Sequence, residues 1–244
     1  MNRDRLEQLA KDERFVAGIY NYCDRWCERC PQTARCLNFA MSQEKFSDPE
    51  THDIRNEAFW RKLSEVFKET LELLEETGKK WGIDLKNLDS VREDEATAGN
   101  EEAVANHVVS RAAGNYAAIV ADWFKGRGEL FFFQTTAVVG ADEGIAIEEA
   151  LEVIRWYQYF IAAKVMRAIG GCREGLEADS NGSAKIALIG IDRSIGAWGV
   201  IPRYNRFYQE SVLEIISLLK LLRQAVKETF PGAESFVRPG LDAE

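Results

Sequence analysis

The sequence predicts an all-α protein, an antiparallel helical bundle with an N-terminal four-cysteine helix–turn–helix metal module. Three observations predict it. Apolar residues recur at helical spacing through most of the 244 residues. Glycine, proline and acidic clusters interrupt those stretches at intervals suited to long helices. Four of the five cysteines crowd into "YCDRWCERCPQTARC" at 22–36. The chain reads as a single helical domain over 1–244, with 1–46 as the module and about 55–230 as the bundle it packs on.

The elements follow in order. Leu6, Leu9, Val16, Ile19 and Tyr20 suit a short amphipathic helix over 4–22. "PQTARCLNFAMSQEKF" reads as a second short helix opened by Pro31, which is favoured at a first helical position. From 56 to 80, Phe59, Leu63, Val66, Phe67, Thr70, Leu71 and Leu74 form a 3.6-period stripe, with Glu65, Lys68, Glu69, Glu72 and Glu76 largely opposite. Glycines and acidic residues make 82–99 a loop. Asn100 then caps a helix to about Lys125, with Glu101 and Glu102 in its first turn, where the dipole favours anions. "ELFFFQTTAVV" reads as a buried segment, strand-like in composition yet isolated among helices. Asp142 or Glu143 opens the next helix, which Gly170 and Gly171 stop. Helices over 183–200 and 207–230 end at Pro202 and Pro231-Gly232, and the tail beyond reads as loose.

On the 183–200 helix, Ser183, Ala187, Gly190, Ser194 and Ala197 make a stripe of small residues along one face. Glycine inside a helix costs about 1 kcal/mol relative to alanine, so something must offset Gly190. Close approach of a neighbouring helix would do so, as would room for a cofactor or substrate.

Cys23, Cys27, Cys30 and Cys36 give C-x3-C-x2-C-x5-C. On a continued first helix, 23, 27 and 30 would share one face, and the second helix would return Cys36 toward them. Four thiolates suit an iron–sulfur cluster or a structural zinc. Zinc sites generally pair two C-x2-C knuckles across a longer spacer, and here one compact run holds all four ligands. A [4Fe–4S] cluster therefore fits the spacing better, zinc is the alternative, and a disulfide or reactive-thiol arrangement is the third. Cys30-Pro31 has the C-P step of bacterial ferredoxin runs. Arg25, Arg29 and Arg35 would offset the negative charge of a tetrathiolate site. The lone Cys172 reads as a non-ligand thiol.

Cys23-x3-Cys27-x2-Cys30 resembles the cluster motif of radical S-adenosylmethionine enzymes. That resemblance implies a β/α barrel and three cysteine ligands. This chain has no β/α alternation and offers Cys36 as a fourth ligand, which sets it apart from that family.

Arg111, Arg155, Lys185 and Asp192 lie on largely apolar helix faces and define a second candidate site, a polar pocket for a small anionic cofactor or substrate. The alternative is that these charges pair with one another across the bundle. A di-iron centre lacks its ligands, because neither His52 nor His107 follows a glutamate by three.

A net charge of −9 excludes general attraction to nucleic acid. No apolar run approaches the roughly 20 residues of a membrane span. The charged opening "MNRDRLEQLAKDERF" does not read as an export signal, so the expected location is cytoplasmic. The expected function is electron transfer or redox sensing with a redox partner protein. A zinc-clasped interaction protein and a helical enzyme are the alternatives, and the small-residue stripe with the apolar helices leaves room for a homodimer.

Overall fold

The computed structural model describes residues 3–82, 95–125 and 141–242. Every regular element among them is helical and none is a strand. No helix among them is long and apolar enough to cross a membrane. The "ELFFFQTTAVV" segment, the glycine stop at 126–128 and most of the predicted 82–99 loop lie outside the described residues. The chain divides into two compact units, one made of Met1–Asp94 with Arg238–Glu244 and the other of Glu95–Val237.

In the first unit, α1 (Arg3–Ala10), α2 (Leu37–Lys45) and α3 (Glu57–Trp81) are the α-helices among the described residues. The helix predicted over 4–22 stops at Ala10. Just beyond, the Asp12 carboxylate accepts the Arg14 backbone N–H at 3.0 Å and pairs with its guanidinium at 2.6 Å. A side chain that satisfies the backbone locally competes with a helical continuation. Gly18 then turns the chain at φ +76°. The cysteines therefore leave from turns, and the shared helical face predicted for 23, 27 and 30 does not form.

The 56–80 prediction matches α3 closely. Asn56 caps it by accepting the Ala58 N–H at 3.1 Å, and Gly82 closes it at φ +71°. Of its predicted apolar stripe, Phe67, Leu71 and Leu74 are exposed and Phe59, Leu63 and Val66 are half-buried; Trp60 and Trp81 are exposed as well. The apolar residues buried among the described part of this unit are Leu9, Ile19, Trp26 and Ala58.

The second unit holds α4 (Glu95–Asn106), α5 (Val108–Trp123), α6 (Ala141–Arg173), α7 (Glu177–Trp198), α8 (Ile201–Tyr204) and α9 (Gln209–Thr229). The helix predicted from 100 to 125 is two helices. His107 adopts ψ 137°, and its Nδ1 accepts the Val109 N–H at 3.3 Å, which caps α5. Asn100, the predicted cap, lies inside α4 and accepts from Arg173 Nε at 2.6 Å.

Gly170 and Gly171 do not stop α6. A Cβ at Gly171 would lie 3.3 Å from the Ser180 backbone nitrogen, so this glycine permits close approach of α7. The reversal comes at Gly175, with φ +74°. α6 and α7 then run antiparallel. The Arg167–Asp179 ion pair at 2.6 Å and the Ser180 hydroxyl on the Ala168 carbonyl at 2.8 Å lie near the turn, and Tyr157 faces Gly190 further along. A Cβ at Gly190 would sit 2.9 Å from Tyr157 Cδ1 and 3.2 Å from Ile161 Cγ1. The small residues of α7 are buried, and at Gly190 what fills the space is α6.

Gln158 reaches from α6 to the Ala117 carbonyl at 2.9 Å. Trp198 Nε1 donates to the Tyr116 hydroxyl at 3.2 Å, and its ring meets Trp123 edge-on at 5.1 Å. α9 ends ahead of Pro231, as predicted.

The segment after it is not loose. The Arg238 guanidinium holds Asp242 at 2.7 Å, and the Leu241 and Asp242 N–H groups both bond the Arg238 carbonyl.

Candidate metal centre

The cysteine stretch is a chain of short turns, each with a local cause. The Cys23 thiol donates to the Tyr20 carbonyl at 3.6 Å. Asp24 accepts the Trp26 N–H at 3.2 Å, which makes an Asx turn. Arg25 sits in the left-handed region at φ 60°, where only a few per cent of non-glycine residues are found. A 3-10 turn follows over Cys27–Arg29, with the Cys30 N–H on the Cys27 carbonyl at 3.2 Å. A second covers Thr33–Arg35, and Cys36 immediately precedes α2. The Val16 N–H donates to the Arg35 carbonyl at 3.0 Å and ties the two ends of the stretch together.

These turns bring Cys23, Cys27, Cys30 and Cys36 onto the wall of a single cavity. The cavity is small, about 20 Å³, and partly open to solvent. Ile19, Trp26, Phe39 and Leu241 supply apolar wall, and Trp26 is only 5% exposed. All four thiols are partly buried and none is in a disulfide. Among the described residues, no three His, Cys, Asp or Glu side chains form a group that could hold one metal ion.

Two backbone N–H groups point at sulfur. Gln32 donates to Cys30 Sγ at 3.4 Å, and Arg25 donates to Cys23. Burial nevertheless pushes the Cys23 thiol above its ordinary pKa, against the Arg25 hydrogen bond and charge. Burial also raises Cys27, helped by the fields of Cys23 and Cys36. That mutual influence is what four thiols around one cavity produce. Cys23 and Cys27 ionise together only where a cation compensates them.

The exposed guanidinium groups lie over aromatic rings. Arg29 sits 4.3 Å from the Trp26 ring centroid, and Arg25 sits 5.8 Å from that of Tyr20.

The second predicted site is placed differently. Asp192 is exposed and pairs with Arg223 at 2.7 Å, and Lys185 donates to the Glu234 carbonyl at 2.8 Å. Arg223 and Lys227 both approach the Glu234 carboxylate, at 3.7 Å and 2.9 Å, so Lys185 and Asp192 share one surface ion network. The Arg155 guanidinium lies 4.4 Å from the Phe124 ring centroid, and Arg111 is exposed on α5. His52 bonds the Phe46 carbonyl, and His107 serves as a cap.

Leu241 was not legible as a wall residue. Its one signal was Pro239-Gly240, a turn dipeptide, and nothing in a single sequence links that turn to residues more than two hundred positions earlier.

No protein family, no curated protein and no solved structure matches this chain.

Proposed function

We propose that Cys23, Cys27, Cys30 and Cys36 hold a [4Fe–4S] cluster and that the protein, in the cytoplasm, transfers electrons or senses redox state. The observation that carries this reading is the convergence of all four thiols on one apolar-walled cavity. A cubane cluster takes one thiolate at each of four separate irons, whereas zinc draws its ligands to a single point about 2.3 Å from each sulfur. All four ligands lie in one compact run rather than in two C-x2-C knuckles across a longer spacer, and that spacing favours the cluster over zinc.

Three further features support it. N–H groups aimed at Cys23 and Cys30 stabilise thiolate ligands and raise the potential of a bound cluster. The exposed Arg25, Arg29 and Arg35 offset its negative charge. The few buried apolar residues of this unit leave a bound group to supply folding energy. When bound, the cluster supplies one-electron chemistry. The chain's own residues hold it, exclude water through Ile19, Trp26, Phe39 and Leu241, and present the arginines at the surface.

The test is an absorption spectrum with iron, zinc and sulfide analysis of anaerobically purified protein, beside Cys36→Ala. A brown protein with about four irons and four sulfides per chain is the expected result. A colourless protein with about one zinc would replace the cluster with a structural clasp.

A further inference from the structure

The segment Arg238–Asp242 belongs to the compact unit that carries the cysteines, although the whole second unit separates them in sequence. Two contacts hold it there, and an ion pair within the segment fixes its turn. Gly240, at φ +67°, lies so close to the residues leading into the cysteine stretch that a Cβ on it would sit 3.0 Å from Val16 Cγ1 and 3.2 Å from Ile19 Cδ1. Arg238 and Asp242 clamp the turn on either side through their 2.7 Å ion pair and the Arg238 N–H on Asp242 at 2.9 Å. Leu241, between them, reaches the cavity wall that the four cysteines line.

We infer that this segment is a strap that seals the cluster, with Leu241 as the residue that sets its exposure to water and dioxygen and thereby its potential. The inference rests on the cluster reading above. Leucine offers the cavity no donor and no charge, so its effect on a bound group is exclusion. Reduction adds a negative charge to an already anionic cluster, and water stabilises the more charged form more strongly. A sealed wall therefore lowers the potential, and opening it raises the potential. The same wall keeps dioxygen, the oxidant that destroys exposed clusters, away from the irons. Gly240 makes the seal possible, because a side chain at that φ, and that close to Val16 and Ile19, would lift the strap.

The experiment compares wild type, Leu241→Ala and Gly240→Val, each reconstituted anaerobically with iron and sulfide. Readouts are the rate of loss of visible absorbance in air and the midpoint potential. A third is the rate at which iodoacetamide alkylates the thiols of each metal-free chain. The strap predicts several-fold faster bleaching and alkylation in both variants and a potential shifted upward. Variants that carry a full cluster with wild-type bleaching and potential overturn the strap while leaving the cluster reading standing. Wild-type protein that takes up no iron and sulfide overturns the cluster reading and the inference with it. Should the variants fold by circular dichroism yet load no cluster, the alkylation rates decide. Faster modification in the variants upholds the seal, and equal rates overturn it.

Discussion

Gly190→Ala should destabilise the protein, although the same exchange at another helical glycine of the same unit should stabilise it. At Gly190 the added methyl would meet Tyr157 Cδ1 at 2.9 Å and Ile161 Cγ1 at 3.2 Å, both closer than ordinary contact. Tyr157 and Ile161 are fully buried, so neither has free space to retreat into. Overpacking of this kind costs about 1–3 kcal/mol. Alanine returns about 0.8–1.0 kcal/mol of helix propensity. The two estimates together give a net loss of about 0–2 kcal/mol. Gly114 is the control, an exposed interior position of α5 where a Cβ meets nothing within 4 Å. There the propensity gain of about 0.8–1.0 kcal/mol stands unopposed. At roughly 2–4 °C per kcal/mol, Gly190→Ala should melt at or below wild type and Gly114→Ala above it. Thermal and urea unfolding followed by circular dichroism would show it. If Gly190→Ala melts as high as Gly114→Ala, the close α6–α7 approach does not explain the small residue, and the space at Gly190 awaits another occupant.

Other expectations follow from the proposed metal centre and the surface ions. Alanine at Cys23, Cys27, Cys30 or Cys36 should each lower bound iron and sulfide, whereas alanine at the exposed Cys172 should change neither; metal analysis of the five variants checks this. Removing the metal with a chelator under anaerobic conditions should expose 11–36 to proteases first and leave the helices of 95–125 and 141–229 intact, since apolar burial among the described residues is concentrated in the second unit. Mass spectrometry of early fragments reads the order, and simultaneous digestion of both units would count against it. Glu234 should help make stability acid-sensitive. The hydrogen bond from Lys227, and then the charges of Lys227, Arg223 and Lys185, hold its carboxyl below the ordinary 4.5. A lowered folded pKa gives stability that is present above the unfolded value and lost as pH falls from there through the folded one. Glu234→Gln should flatten that acid limb in urea midpoints measured from about pH 6 to about pH 3.

Long helices were legible because their signals are local. Asn56 before a stripe and Gly82 after it define α3 within a residue of prediction. Pro231 likewise marks the end of α9. The four cysteines could be grouped from spacing, but not their geometry. A helical projection from Leu6 to Cys30 ignores how strongly Asp12 and Asp24 satisfy nearby N–H groups, and those two aspartates set the turns. Gly171 misled for the opposite reason. A glycine required by a neighbour's backbone has the same letter as a glycine that ends a helix, and only Ser180 at 3.3 Å distinguishes them. Arg155, Lys185 and Asp192 looked like an interior set because side-chain direction was read from helical phase alone. In the structure Lys185 and Asp192 join a surface ion network, and Arg155 stacks on Phe124.

The strap inferred above would also impose an order on biosynthesis. The cysteines leave the ribosome early, whereas Leu241 follows only after the whole second unit has been made. At about 5–20 residues per second, the roughly two hundred intervening residues take about 10–40 s. Throughout that interval the nascent cavity lacks one wall. Iron and sulfide, or a carrier that delivers them, would find the four thiols accessible, and the finished chain would close over whatever had been loaded. A circular permutant that begins at Arg238 would reverse this sequence and present the wall before the ligands. Cluster occupancy in cells, compared between the two chain orders, would then report whether assembly depends on the opening.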